Sequence, residues 1–485
     1  MHDLNQILQK HFGFAEFRGA QREVIERLLG GHSTLALMPT GTGKSLCFQF
    51  MAHVQKPGEL VLVVSPLIAL MQDQTQKAES TGLRSSFINS SISGDEKEKR
   101  LRQLADGKFN IFFVTPERFK KTEFWEVIQK QKISLFVVDE AHCVSLWGHD
   151  FRPDYAKLGG VIEKLGKPTV LGLTATATIP VQKEICQSLG LETEQGIVTS
   201  GIERPELALS VQDIYGEEEK FEAMYDIMKK HPDQSGIVYF SLIATLENFG
   251  RFLQKHKYTY LKYHGDLMPG QRRQNQNQFL RAKPGETTWM LATPAFGLGV
   301  DKPDVRFVLH SEIPSTLESY FQEVGRAGRD GKPAKAVLFY DEDDVSIQMQ
   351  FLDWAYPDKN FILKVYRLIK DNYDRVSQQG FDFLREQMTF KNKKDFRVQS
   401  AVSILARWGC LEEVDSLFGY RALQEPAESL FTQENQDLLK KEHQKKLLTI
   451  LQWVKQTDEC RMKRIYLYFG HYIENDCGVC DVCAQ

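Results

Sequence analysis

The sequence predicts an α/β protein: two parallel-sheet domains in tandem, a mostly helical segment, then a small cysteine-rich module. Three observations predict it. Short apolar runs alternate with helical patterns twice over, across 33–200 and again across 236–340. Strands of that kind are buried on both faces and belong to parallel sheets covered by helices. A Gly-rich turn ending in Lys44-Ser45 sits where the first strand meets its helix. After residue 345 helical periodicity takes over, and Cys460, Cys477, Cys480 and Cys483 cluster near the end.

At 485 residues the chain has room for roughly three domains. It is 42% hydrophobic and 26% charged, ordinary for a soluble globular protein. Net charge is −3, so any nucleic-acid surface must be local rather than a global basic field. No run of about 18 apolar residues occurs, so no membrane span is expected. The start, MHDLNQILQKHFGF, lacks a basic segment followed by an apolar core, so no signal peptide is expected. A reducing, cytoplasmic setting follows, nucleoid-associated in a bacterium. Cys47, Cys143, Cys186 and Cys410 lie among apolar neighbours and read as packed free thiols.

Taken in order, Gln21 opens a helix carrying Val24, Ile25, Leu28 and Leu29 at helical spacing. Phe17 reads as core. Phe14 could stack on a base, and the Gln21 amide could pair with an adenine edge. The run Thr34–Leu37 reads as a buried strand, followed by Met38-Pro39-Thr40-Gly41-Thr42-Gly43-Lys44-Ser45 and a helix. That is a phosphate-binding loop: glycines let backbone N–H groups curl round an anion, and the helix N-terminus adds its dipole. Lys44 would reach the β/γ-phosphates and the Ser45 hydroxyl would sit on Mg²⁺. The strict pattern wants Gly where Met38 stands, so a plain Gly-rich turn is the competing reading.

Further strands are expected at Leu60–Ser65, Asn110–Thr115, Leu135–Asp139 and Thr169–Thr174, several ending in polar residues. Ligands in such sheets bind beyond the carboxyl ends of the strands, so these ends should share a crevice with Lys44. Residues 214–235 read as a charged linker and surface helix. Strands are then expected at Gly236–Ser241, Thr259–His264, Thr287–Thr293, Val305–His310 and Lys335–Tyr340.

Asp139-Glu140-Ala141-His142 follows the apolar run Leu135–Val138. An acidic pair at a strand end beside a phosphate loop suits Mg²⁺-nucleotide hydrolysis. Asp139 would hold the metal and Glu140 would position and deprotonate water. The competing reading is an exposed charged turn. The run Gln322 to Gly331 carries Arg326 and Arg329 in the second domain. An Arg placed across a cleft onto the γ-phosphate is an arginine finger; the alternative is a solvated basic turn. The four C-terminal cysteines are spaced C-x₁₆-C-x₂-C-x₂-C. Four thiolates fill a tetrahedral, structural Zn²⁺ site, with an iron–sulfur cluster as the rival.

These residues carry a resemblance. FGFAEFRGAQ, PTGTGKSLCFQ, VVSPLIALMQDQ, DEAHCVSLWGHDFRPDY, GLTATAT, ATPAFGLGVDKPDVRFVLH and QEVGRAGRDG resemble the RecQ branch of superfamily 2 helicases. The segment CRMKRIYLYFGHYIENDCGVCDVC resembles that family's zinc module, which favours zinc. The resemblance is to a short form, without an HRDC domain and with an insert before the zinc module.

The resemblance implies two RecA-like domains and ATP-dependent 3′→5′ unwinding of DNA, in repair and recombination. ATP, Mg²⁺ and Zn²⁺ would be the cofactors. Single-stranded and duplex or forked DNA would be the partners, with a single-strand-binding or other repair protein besides. It implies that Phe14, Arg18 and Gln21 bind adenine. Thr40, Gly41, Thr42, Gly43, Lys44 and Ser45 would hold the phosphates, with Gly299 and Asp301 approaching from the second domain. Trp147, His149, Phe151, Arg152 and Asp154 would form an aromatic-rich loop that couples DNA contact to hydrolysis. Thr115, Thr174 and Thr293 would touch the DNA backbone or relay between sites. Gln322, Arg326 and Arg329 would join Lys44, Asp139 and Glu140 as catalytic groups. The chain departs from the pattern at Leu146, Pro294 and Glu206. An RNA helicase or nucleoprotein remodeller, or a DNA-binding protein without unwinding activity, are the other readings.

Expected domains are 1–205, 206–345, 346–432 and 433–485. The family order places a winged helix after zinc, whereas here about 130 residues separate Asp330 from Cys460 and only two follow Cys483. Helices near 361–369, 381–388 and 397–408, the last ending at Gly409, precede two short strands within Leu411–Tyr420. Three helices and a hairpin describe a winged helix. Its phosphate contacts would come from Lys391, Lys393, Lys394 and Arg397. The alternative is a helical brace for the motor.

Overall fold

The structure, a computed structural model, describes residues 3–484. Excepted are 40, 67, 90–91, 146–151, 194, 284–285, 287, 298–301, 390–394, 415–417 and 432, and the side chains of 68–70, 413 and 433–437. It divides into two compact units. One holds Met1–Glu312, Glu318–Tyr340 and Lys455–Gln485; the other holds Ile313–Leu317 and Asp341–Val454.

The first unit contains both large sheets. Strands β1 (Thr34–Leu37), β2 (Glu59–Val64), β3 (Ser85–Ile88), β4 (Ile111–Val114), β5 (Lys132–Val138), β6 (Thr169–Thr174) and β7 (Ile197–Thr199) pair in the order β3-β4-β2-β5-β6-β1-β7. Every pairing is parallel. Alternation sorts the side chains into two cores. Leu35, Leu62, Val64, Phe112 and Phe136 pack on one face, and Ala36, Val61, Val63, Phe113 and Val137 on the other. Period-two strands with apolar residues in both registers bury both faces, which gives the near-continuous apolar runs of the sequence. Two strands of this sheet fall outside the expected set: β3, because Ser85-Ser86 breaks the apolar pattern, and β7, which is only three residues long.

Strands β8 (Leu207–Asp213), β9 (Ser235–Tyr239), β10 (Leu261–Tyr263), β11 (Thr288–Ala292), β12 (Val305–His310) and β13 (Ala334–Tyr340) form a second parallel sheet, in the order β10-β11-β9-β12-β13-β8. The stretch expected to be a linker and surface helix is largely one packed helix, Gly216–Lys230. Its Phe221, Met224 and Met228 enter the core against Val238, Leu291 and Phe339. The actual crossing between the sheets is the short stretch 200–206. It contains two buried side chains, Ile202 and Arg204.

The second unit contains helices Asp344–Ala355, Lys359–Asp371, Tyr373–Gln379, Phe381–Met388 and Arg397–Arg407, then an antiparallel hairpin. Its strands are β14 (Leu411–Glu413) and β15 (Tyr420–Ala422). One core joins them: Ile362, Val365, Ile369, Leu384, Val402, Leu405, Leu411 and Phe418. Gly409 ends the Arg397–Arg407 helix with φ +69, while the Cys410 N–H returns to the Leu405 carbonyl at 2.9 Å. That left-handed stop with a returning bond is the glycine cap expected there. The helix Tyr373–Gln379 is additional to those expected; Asn372 and Gly380 set it apart from its neighbours. The helix Gln433–Lys455 groups with this unit up to Val454.

Candidate active site and metal centre

The phosphate loop runs from β1 to the helix Lys44–Val54. Gly41 and Gly43 have φ of +86 and +80. A Cβ on Gly43 would lie 2.7 Å from Gln21 Nε2, so only glycine fits. Met38 stands where the strict pattern has glycine. It is fully buried in the core and its N–H donates to the Thr174 carbonyl. That position is therefore structural here.

Gln21 is 3% exposed, and its amide is committed to the loop. Nε2 donates to the carbonyls of Thr42 (2.8 Å) and Gly43 (3.2 Å), and Oε1 accepts from the Arg18 N–H at 2.9 Å. An adenine edge would have to displace these bonds. Phe14 is 46% exposed, with the Arg18 guanidinium 5.6 Å from its ring centroid, so its face is open to a base. Lys44 Nζ is buried and has no hydrogen-bond partner among the described residues. An ammonium buried without a partner in a glycine-rich loop at a helix N-terminus fits a phosphate, since burying an unpaired charge is otherwise costly.

Asp139 closes β5, its N–H bonded to the Val64 carbonyl. Its carboxyl receives Ser65 Oγ (3.3 Å) and the Glu140 N–H (3.1 Å). Burial, with the Glu140 charge beside it, pushes Asp139 up to about 6, while Lys44 pulls the other way. A buried carboxyl with a hydroxyl on the neighbouring helix at Ser45 fits a hard cation. Glu140 adopts φ +49, rare for a non-glycine residue and at home in a functional turn. Its Oε2 lies 3.4 Å from His142 Nδ1, which is 3.0 Å from Thr174 Oγ1. The turn that carries Glu140 is thus tied to the end of β6 through His142. Tyr155 OH donates to the Asp139 carbonyl at 3.1 Å.

On the second sheet, Arg329 reaches the phosphate loop. A Cβ on Gly41 would lie 2.9 Å from Arg329 Cγ. Arg326 is 4% exposed and donates to the Gly297 carbonyl within its own lobe, while its Nε has no partner among the described residues. Gln322 is half-buried on the helix Leu317–Val324. Thr115 and Thr293 are buried at the ends of β4 and β11. Arg152 donates to the Pro66 carbonyl at 3.1 Å, and Asp154 meets Lys120 at 2.7 Å. Thr40, Trp147, His149, Phe151, Gly299, Asp301, Lys391, Lys393 and Lys394 lie outside the described residues. Arg397 is occupied: its Nη2 meets Asp395 at 2.6 Å and its guanidinium lies 4.9 Å from the Phe361 ring centroid.

Cys460, Cys477, Cys480 and Cys483 bring their sulfurs within 4.8 Å of one another. Four thiolates, with no other ligating group in the cluster among the described residues, match a closed tetrahedral zinc site. The module docks on the edge strand β8: Asp481 N–H donates to the Leu209 carbonyl (3.0 Å), and Val211 N–H to the Asp481 carboxylate (2.9 Å). Arg461 holds the same carboxylate at 2.5 Å. Sequence reasoning misses this docking and the buried His310–Glu323 pair (2.7 Å). Neither leaves a trace in residue spacing.

Three family models match: DEAD/DEAH box helicase over 18–185, helicase conserved C-terminal domain over 219–331 and RecQ zinc-binding over 424–484. The ATP-dependent DNA helicase RecQ of Synechocystis is 32% identical across 99% of this chain and 98% of its own length. The chain belongs to the RecQ family of ATP-dependent DNA helicases. Within that family it is 37% identical to the probable ATP-dependent DNA helicase RecS of Bacillus subtilis, over 79% of this chain and 76% of that one. It is 38% identical to the RecQ of the same organism, but spans only 58% of that protein's length. The RecQ zinc-binding match covers all four cysteines and supports zinc at this cluster over an iron–sulfur cluster. Solved helicases share the fold: Mycobacterium smegmatis Lhr bound to ssDNA and AMP-PNP aligns at TM-score 0.56 and 22% identity, over 73% of this chain and 49% of that one. Saccharomyces cerevisiae Dbp5 bound to RNA and ADP BeF3 aligns at 0.57 and 18%, over 71% and 89%.

Proposed function

We propose that this chain couples ATP hydrolysis to 3′→5′ movement along single-stranded DNA and to strand separation, in DNA repair and recombination. The observation that carries this is Arg329 against Gly41, beside the orphaned ammonium of Lys44 and the Asp139-Glu140 pair. The groups needed for phosphoryl transfer to water thus meet at one loop, and they come from two lobes. Lys44 and the loop N–H groups bind the phosphates. Ser45 and Asp139 would hold Mg²⁺, which when bound neutralises charge on the phosphate oxygens. Glu140 orients the attacking water and takes its proton. Arg329, and Arg326 once released from Gly297, stabilise charge developing on the γ-phosphate. Phe14 stacks on the adenine. Trp147, His149, Phe151 and Arg152 serve as the strand sensor, with Thr115 and Thr293 behind the DNA track. Residues 360–425 act as a winged helix that grips duplex DNA. We place the protein in the cytoplasm; among the described residues no helix is long and apolar enough to cross a membrane.

ATPase rates with single-stranded DNA, duplex DNA and RNA, measured side by side, test the reading. Stimulation by single-stranded DNA should exceed that by RNA. The reverse order would make the protein an RNA-dependent motor. Stimulation without displacement of a labelled strand would leave a translocating or remodelling ATPase rather than an unwinding enzyme.

A further inference from the structure

We propose that Arg204, in the crossing between the two lobes, positions the Arg326 loop, and that Tyr466 of the zinc module holds Arg204 in place. The zinc module then takes part in setting the geometry of the arginine finger. This rests on the reading of Arg326 and Arg329 as the fingers.

Arg204 is 7% exposed, and its guanidinium meets three acceptors. Nε donates to Glu206 Oε1 at 2.5 Å, Nη1 to the Gly325 carbonyl at 3.1 Å, and Nη2 to the Ala327 carbonyl. Gly325 and Ala327 are the two neighbours of Arg326. They follow the helix Leu317–Val324, whose last carbonyls lack partners within the helix and favour a cation. A planar fork can bind two carbonyls and a carboxylate at fixed angles; a lysine ammonium on a flexible stem cannot reproduce that geometry. The loop carrying Arg326 is therefore gripped on both sides of the finger, by a residue that belongs to neither sheet.

Arg204 is itself held. Its backbone N–H donates to the Tyr466 phenol oxygen at 2.6 Å. Tyr466 is 3% exposed on the helix Arg461–Tyr468, which starts directly after Cys460. The same module is fastened to β8 through Asp481. A path of bonded groups thus runs from the metal-bearing module through Tyr466 and Arg204 to the carbonyls flanking Arg326. Glu206, a departure from the family pattern in the sequence, completes the grip on Arg204.

Misplacing a reacting group by about 1 Å can cost about 10²-fold in rate. The test uses the zinc-loaded full chain and compares Arg204→Lys, Tyr466→Phe and Arg326→Ala with wild type. The readouts are kcat and KM for ATP at saturating single-stranded DNA, affinity for ADP alone and for ADP with aluminium fluoride, zinc content and thermal unfolding. Arg204→Lys should lower kcat roughly 10–100-fold with KM within about twofold. Affinity for ADP should stay, while affinity in the presence of aluminium fluoride falls with kcat. Tyr466→Phe should shift the same readouts in the same direction, about 3–10-fold, with zinc retained. Native turnover in both variants, with Arg326→Ala inactive, overturns the proposal. So does a loss in which ADP affinity and unfolding temperature fall in step with kcat, because that is a structural brace. Should Arg204→Lys fail to fold, Tyr466→Phe and Glu206→Gln decide by the same criteria. Native turnover by Arg326→Ala would instead remove the finger reading itself.

Discussion

Lys44 Nζ is buried with no hydrogen-bond partner among the described residues, whereas the amide of Gln21 behind the loop is fully used. The loop is thus braced from behind and presents its cation in front. Lys44→Ala should lower ATP turnover by at least about 10²–10³-fold, since it removes the cation that meets the phosphates. Glu140→Gln should bind ATP with near-native affinity and yet not hydrolyse it. Wild-type turnover by that variant would reject Glu140 as the base. A second residue-scale expectation concerns His53, on the helix that starts at Lys44. Its Nε2 lies 3.0 Å from Thr81 Oγ1, and its ring centroid is 3.9 Å from that of His11. Burial, with the charges of His11 and Lys10 nearby, lowers its pKa from 6.5 to about 4. Between those values the unfolded chain binds more protons at this site than the folded one. Stability should therefore rise with pH from about 4 to about 6.5 and level off above. His53→Gln should flatten that part of the profile in denaturant melts. An unchanged slope would show that His53 is not the titrating group.

At the scale of elements, the second unit has its own core, and the helices that build it are largely readable from periodicity. What periodicity cannot give is the state of each basic residue. Arg397 was expected on DNA, and the structure pairs it with Asp395 at the start of its helix. Such a pair stabilises the helix entry and leaves less of the cation for phosphate. On the winged-helix reading, the phosphate contacts would then fall to Lys391, Lys393 and Lys394. Replacing these three with Ala should weaken duplex binding about equally across sequences and reduce the slope of log K against log salt by roughly 1 for each lysine removed. ATPase driven by single-stranded DNA should persist. If forked-duplex affinity and its salt slope are unchanged, the segment is a brace rather than a grip.

At the scale of the molecule, the zinc module occupies the exposed edge of the second sheet and holds the crossing between the lobes. Edge strands present unpaired backbone groups, and the contacts of Asp481 with Leu209 and Val211 satisfy part of that edge on β8. A structural zinc site contributes folding free energy directly. Cys480→Ser should lower zinc content by elemental analysis and bring the unfolding temperature down by roughly 5–15 °C. Iron in place of zinc, with a visible absorption band, would contradict the assignment. Full zinc content with native stability would show that three sulfurs suffice.

The sequence by itself determined the α/β class, the phosphate loop, the acidic strand end and the four cysteines. Each is written in neighbouring residues: a strand running into glycines and Lys44-Ser45, Val138 into Asp139-Glu140, two Cys-x₂-Cys steps. Local geometry makes such patterns, so spacing along the chain records them. Only the tertiary structure decided that Gln21 braces the loop, that Arg329 lies on Gly41, that the helix Gly216–Lys230 is packed into the core, and that Arg204 joins Tyr466 to the carbonyls beside Arg326. The partners of Gln21, Arg329 and Arg204 are separated by 21 to 288 positions along the sequence. Hydrogen bonds and close contacts of that kind depend on how sheets and modules come together in space, and a single sequence carries no periodicity that marks them.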